Sequence, residues 1–221
     1  MRFPKNRGKR SFFFLKRLVD VFCSLIILIV ISPLLLMLFI LVWFNLGWPV
    51  FFLQNRPGKY SKPFRIIKFR TMTNNCDSYG NLLPDQIRTT IVGRFLRKTS
   101  LDELPEFINV LKGEMSLVGP RPLLIKYLPY FTEREKKRHD VKPGITGLAQ
   151  ISGRNLLTWD DRLEMDVKYV ENLTAWLDLR ILLLTIINAI RQKDVLAVSS
   201  ETVLDFNDYR IDQLTNNSDG N

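Results

Sequence analysis

The chain has 221 residues, with 32 Lys and Arg against 22 Asp and Glu and a formal net charge of +10. Such an excess invites a nucleic-acid reading, but thirteen of the cations lie in two runs, 2–17 and 56–70, that border one uncharged stretch. The remainder holds 19 basic and 22 acidic residues, so no nucleic-acid partner is expected. Two cysteines, Cys23 and Cys76, make no disulfide framework, and a lone histidine, His139, excludes histidine-pair chemistry and most zinc sites.

The N-terminal arm ends in Phe12, Phe13 and Phe14 beside Lys16 and Arg17, a suitable interfacial lead-in to a membrane. The stretch 21–55 that follows carries no charge and exceeds the ~20 residues a helix needs to cross the hydrocarbon core. Ser32 and Pro33 stand near its middle, where proline removes a backbone donor and predicts a break. Each half, 18–31 and 34–46, reaches only ~20 Å at 1.5 Å per residue. Positive charge beside a membrane segment marks the cytoplasmic side, and here both flanks carry it. We therefore expect a re-entrant helix–break–helix that enters and leaves by one face, with a single kinked spanning helix as the rival. Ser32 can bond a carbonyl that the proline leaves free. A signal peptide fits poorly, because no cleavage site follows and the apolar run is too long. Trp43 and Trp48 suit an aromatic belt, and Gly47 and Pro49 end the helix.

Beyond the membrane segment, 64–72 reads as a short strand whose alternation puts Lys68 and Arg70 on one face. Residues 74–87 read as a polar loop. Pro105 fits only the first turn of a helix, which places Asp102 at or beside the N-cap and Glu103 in the first turn, with Gly113 as the stop. Carboxylates there have an ordinary use as caps and as complements to the helix dipole. Gly119-Pro120-Arg121-Pro122 stiffens the backbone around one arginine, suiting either a phosphate clamp or a structural turn. A charged helix is expected over 128–140, a rigid turn over 142–147, and a helix over 159–172 capped by Thr158 with Asp161 as its capping-box partner. The uncharged run 181–190 is too short to span and reads as a core or interfacial helix. The tail beyond Glu201 is polar and expected to fray.

The fold class expected is α+β, mainly helical with a small β element: a re-entrant membrane hairpin plus one compact cytoplasmic domain. Its parts are 1–53 for arm and hairpin, 54–200 for the catalytic domain, and 201–221 for the tail. Lys68, Arg70, Arg94, Arg97 and Arg121 around an Asp-Glu pair suggest a phosphate site bridged by a divalent metal.

These residues carry a resemblance. Ser32-Pro33, Lys68-Phe69-Arg70-Thr71-Met72, the run from Arg97 through Asp102-Glu103-Leu104-Pro105 to Gly119-Pro120-Arg121-Pro122, Lys142-Pro143-Gly144-Ile145-Thr146-Gly147 and Trp176-Leu177-Asp178-Leu179 resemble the monotopic phosphoglycosyl transferases among the bacterial sugar transferases. The resemblance covers about 16–191 and corresponds to the minimal catalytic form. It implies transfer of a phosphosugar from a UDP-sugar to polyprenyl (undecaprenyl) phosphate, with release of UMP, at the cytoplasmic face of the bacterial inner membrane. It further implies Asp102 as nucleophile, Glu103 as a ligand of Mg²⁺, and Lys68, Arg70, Arg97 and Arg121 balancing the diphosphate charge, with Asp178 at a substrate position. Membrane lipid is an implied partner, and a homodimer is left open. A non-catalytic membrane scaffold on the same fold is the alternative, but it has no need of Asp102-Glu103 beside Arg97. The sugar is not fixed, and the tail from Ser199 matches no pattern.

Overall fold

The computed structural model describes residues 7–153, 157–191 and 205–218. The chain divides into two compact units, Met1–Gln54 with Arg65–Gly113, and Asn55–Phe64 with Glu114–Asn221.

The first unit is organised on α1 (Arg7–Leu46), which is long and apolar enough to enter a bilayer and leaves most of its apolar side chains exposed. The expected interruption at Ser32-Pro33 is absent: the helix runs through Pro33 without a break. The reason is local. Proline denies an N–H to the carbonyl four residues back, that of Ile29, and the Ser32 hydroxyl donates to this same oxygen at 2.8 Å. The axis nevertheless bends. Straight, the helix would hold Arg17 and Leu46 about 44 Å apart. Arg17, however, donates to the carbonyls of Val110 and Leu111 (2.5 and 2.8 Å). Neighbouring Asn109 bonds Ile67, and three residues on Arg70 donates to the carbonyls of Leu46 and Gly47. That short path covers such a distance only if every link is fully extended in one line, so the helix curves back, and Pro33 lies near its midpoint. Gly47, at φ 70°, closes the C-terminus as the sequence leads one to expect.

A two-stranded sheet follows, β1 (Phe51–Pro57) and β2 (Pro63–Phe69). Only the second strand is evident from sequence. Next come the short α2 (Asp85–Arg88), then α3 (Ile91–Thr99), which Thr90 caps by accepting from Gly93 N–H. Gly93 is obligatory, since a Cβ there would lie 1.9 Å from the Thr71 carbonyl oxygen. A 3₁₀ turn, Leu101–Glu103, leads into α4 (Glu106–Lys112). The core of this unit packs Leu38 and Val42 of α1 with Val50, Phe69 and Leu96. Asn109 locks α4 to β2 by accepting from Ile67 N–H (3.0 Å) and donating to Arg65 O (2.7 Å). Arg17 supplies donors to the last carbonyls of α4, which a helix end leaves unpaired.

The second unit is built on β3 (Ser116–Val118) and β4 (Gly144–Thr146), a parallel pair in the register Ser116 with Gly144 and Val118 with Thr146. The sequence had suggested only a turn at β4. The expected single helix over 128–140 is instead a 3₁₀ segment holding Pro129 (Ile125–Tyr130), α5 (Glu133–Lys136) and a second 3₁₀ segment (Lys137–Asp140). Thr132 and Glu135 form a reciprocal capping box that starts a new helix in mid-stretch. After α6 (Leu148–Ile151) come α7 (Trp159–Glu171) and α8 (Ala175–Arg191). Thr158 caps α7 as expected, although Asp161 returns its carboxylate to the Thr158 hydroxyl and not to the backbone. α8 buries Ile181 and exposes Trp176, Leu179, Leu183 and Ile186.

The tail departs most from expectation. Residues 206–218 form α9 (Phe206–Ser218), docked on the 3₁₀ segment at 125–130. Phe206 is fully buried among Tyr127, Phe131 and Leu163. Asp205 accepts from Tyr127 and Lys126, and Arg210 pairs with Glu135 and Asp160. Phe206 and Tyr209 share a face at helical spacing, and this pair supplies the apolar anchor that the polar composition hides. The rest of the expected tail, 201–204 and 219–221, lies outside the described residues.

Candidate active site

In the first unit β2 delivers Lys68 and the 3₁₀ turn delivers Asp102 and Glu103. Ser100, at φ 56°, ends α3 in the left-handed conformation and so reverses the chain into that turn. Of the ordinary explanations for the acid pair, capping of α4 does not apply: the helix starts at Glu106 with Pro105 at its N-cap, so Asp102 and Glu103 lie before it in the 3₁₀ turn, and no side chain caps it. Asp102 is 8% exposed. Lys68 Nζ lies 2.6 Å from Glu103 Oε1 and 3.3 Å from Glu106 Oε1. Arg97 is held by its Nε donating to Thr71 Oγ1 at 2.9 Å. Burial is the largest influence on Asp102, followed by the charge of Glu103; together they push its carboxyl up to about 6 despite Lys68 and Arg97. At neutral pH Asp102 is thus an ionised carboxylate held at a cost, with two cations near.

Glu106 was not singled out in the sequence. It is 1% exposed, in the first turn of α4, and shares Lys68 with Glu103. Its signal was its position, three residues beyond Glu103 on the same helical run. Arg70, expected at the substrate, is placed differently. It is buried, and its guanidinium is given to the carbonyls of Leu46, Gly47 and Trp48 at the end of α1. Lys68 and Arg70 therefore serve different ends despite their alternation, one the acid pair and the other the membrane helix.

Arg121 and Asp178 belong to the second unit. Arg121 is exposed on its proline-bounded turn, whereas Asp178, in the first turn of α8, accepts from the buried Tyr169 hydroxyl at 2.7 Å. His139 is buried, and burial followed by the neighbouring Arg138 charge lowers it to about 4, so it is neutral at pH 7.

No group of three or more His, Cys, Asp or Glu side chains suited to a metal occurs among the described residues. Mg²⁺ commonly takes one or two carboxylates and completes its shell with water and substrate phosphate. The hard oxygens of Asp102 and Glu103 fit that donor requirement, with the Lys68 contact to Glu103 as the competing cation.

The model of the bacterial sugar transferase family matches residues 11–192. The uncharacterized sugar transferase EpsL of Bacillus subtilis is 55% identical over 172 residues, 78% of this chain and 85% of that protein. The undecaprenyl-phosphate galactose phosphotransferase of Salmonella typhimurium is 42% identical over 205 residues, 84% of this chain and 42% of that protein. The UDP-glucose:undecaprenyl-phosphate glucose-1-phosphate transferase of Klebsiella pneumoniae is 45% identical over 181 residues, 77% and 39% respectively. The chain thus spans most of the first relative and less than half of the other two. With a matched region that takes in the long apolar helix, the acid pair and the proline-bounded arginine, the chain belongs to the bacterial sugar transferases.

Proposed function

We propose that the protein transfers a phosphosugar from a UDP-sugar to polyprenyl phosphate, releasing UMP, at the cytoplasmic face of the bacterial inner membrane. The observation that carries this reading is the Asp102 carboxylate, buried and ionised beside Glu103 with Lys68 and Arg97 as its counter-charges. The names of the Salmonella and Klebsiella relatives support the acceptor, and the latter name supports the nucleotide-sugar donor. Relatives at similar identity are named for galactose, glucose and N-acetylgalactosamine, so no sugar is assigned to this chain.

In the first step a carboxylate oxygen of Asp102 attacks the sugar-bearing phosphorus. The bond to the UMP oxygen breaks, and UMP leaves with that electron pair. In the second, a phosphate oxygen of the polyprenyl acceptor attacks the same phosphorus, the bond to Asp102 breaks, and the carboxylate is regenerated. Glu103 would hold Mg²⁺, which when bound offsets diphosphate charge and makes UMP a better leaving group. Lys68, kept beside the acid pair by Glu106, and Arg97, kept in place by Thr71, supply fixed positive charge where phosphoryl charge develops. Arg121 presents a planar guanidinium suited to a bidentate hold on phosphate. Arg70 is assigned to the end of α1 and not to substrate.

For topology we favour a re-entrant α1. Arg17 near its start and Leu46 at its end are both tied to the 65–113 segment of one unit, and basic residues flank both sides.

The test is the order of events. Enzyme with UDP-sugar and Mg²⁺ should release up to one equivalent of UMP per site before acceptor is added, and the peptide holding Asp102 should gain the mass of one phosphosugar. Asp102→Asn should abolish both signals. UMP appearing only when both substrates are present, with no adduct and with activity retained in Asp102→Asn, would establish direct transfer.

A further inference from the structure

The two prolines of Pro120-Arg121-Pro122 carry no N–H, so two of the turn's three backbone donors are missing and its carbonyls carry much of the anchoring. All three carbonyls are engaged, each by a donor from a different part of the second unit. Gly144 N–H donates to Pro120 O at 3.0 Å, Arg138 Nη2 to Arg121 O at 2.7 Å, and Arg56 Nη1 to Pro122 O at 3.2 Å. On the preceding side Gly119 N–H donates to Thr146 O at 2.8 Å, and a Cβ at 119 would lie 2.4 Å from Lys142 O. The backbone on either side of Arg121 is therefore set by contacts that come from 24, 17 and 66 residues away in sequence.

Arg138 is itself held. Its Nε and Nη2 bond Asp166 Oδ2 at 3.1 and 2.7 Å, and both side chains are 2% exposed. A guanidinium in that position satisfies a buried carboxylate and still spares a donor for the Arg121 carbonyl. Arg162 stands within electrostatic reach of Arg121, Arg138 and Asp166, and its own pKa is lowered, by burial first and then by those two arginines.

We propose that Arg56 and Arg138 are positioning residues for Arg121: they hold the turn that aims its guanidinium and do not themselves touch substrate. This rests on the assignment of Arg121 to the diphosphate made above. Its physical content is pre-organisation. A bidentate hold on a phosphoryl group needs the fork placed to within a fraction of an ångström, and a turn that lacks two of its three N–H groups depends on its carbonyls for much of its placement.

The test is a double-mutant cycle on the full chain in detergent or nanodiscs, with undecaprenyl phosphate and the UDP-sugar that turns over fastest in a panel. Arg56→Gln should lower kcat about tenfold while KM for the UDP-sugar changes less than about twofold. In an Arg121→Lys background, already slowed, the same change should cost almost nothing, because the group it positions is no longer the fork. Arg56→Lys, which keeps a charged donor and more of the reach to the Pro122 carbonyl than glutamine does, should recover part of the loss. If Arg56→Gln does not fold, as judged by its melting curve, Arg56→Lys takes its place in the cycle. An equal fold-loss in both backgrounds would show a general structural role and overturn the proposal, as would an unchanged kcat in the wild-type background. An Arg121→Lys enzyme with unchanged kcat is a separate failure: it would remove Arg121 from the diphosphate and the positioning argument with it.

Discussion

Replacing Asp102 by asparagine should make the protein more stable at neutral pH even as it destroys activity. Asp102 is buried, and burial pushes its carboxyl up to about 6 from the ordinary 3.8 of a free aspartate. The folded state therefore binds the proton more tightly than the unfolded chain does between those two values. The stabilisation this provides is complete below pH 3.8 and is lost as pH rises through 6. Above pH 6 the folded protein carries the cost of a desolvated carboxylate, about 3 kcal/mol for a shift of about two units. Asparagine keeps nearly the same shape without the charge. Its counter-charges are not stranded, since Lys68 retains Glu103 and Glu106, and Arg97 retains Thr71. The gain should thus approach that figure, which for a chain of this size corresponds to a rise in Tm of roughly 6–12 °C. The assay is thermal unfolding of wild type and Asp102→Asn in EDTA, at pH 7.5 and near pH 4. The gap should be large at the higher pH and nearly closed at the lower. A gap of the same size at both pH values, or a variant less stable at pH 7.5, would refute the reasoning. The link to chemistry is direct: the same unfavourable charge is relieved when the carboxylate oxygen bonds phosphorus, so part of what destabilises the resting fold favours the attack.

Three further outcomes can be checked. Arg121→Lys should lower kcat with little change in KM, because an ammonium cannot reproduce a two-pronged hold that matters most as phosphoryl charge develops; a raised KM with kcat intact would contradict it. Phe206→Ala should cost about 3 kcal/mol or more and release α9, seen as faster trypsin cleavage at Arg210, which is otherwise held by Glu135 and Asp160. Cysteines placed at positions 9 and 59 should be labelled from the same side of sealed vesicles, and Pro33→Ala should move part of the population toward opposite-side labelling as the helix straightens.

The membrane segment was legible because 35 uncharged residues in succession admit few explanations, and the serine before the proline marked its own repair. What the sequence could not show was that this repair would keep the helix continuous. One hydroxyl on the Ile29 carbonyl turns an expected break into a bend. Asp102 and Glu103 were legible only through the longer motif around them. Taken alone they read as helix caps, and the structure leaves α4 uncapped by any side chain. The features that escaped share another cause. Arg138 meets Asp166 across 28 residues, Arg56 meets Pro122 across 66, and Arg70 meets the end of α1 across 23. No local period records such pairings, and in each case the arginine reads in sequence as one more surface or phosphate-binding cation. The parallel β3–β4 pair is similar: two three-residue strands carry too little alternation to register, and what betrays them is Gly119 and Gly144, positions where a Cβ would meet the opposing backbone at 2.4 and 2.0 Å. In this protein, then, arginine has two opposite uses. Buried, as at 70 and 138, it spends its donors on carbonyls and a carboxylate and fixes where the chain turns; exposed, as at 97 and 121, it is the arginine we assign to an anion. Burial, which sequence does not print, decides between them.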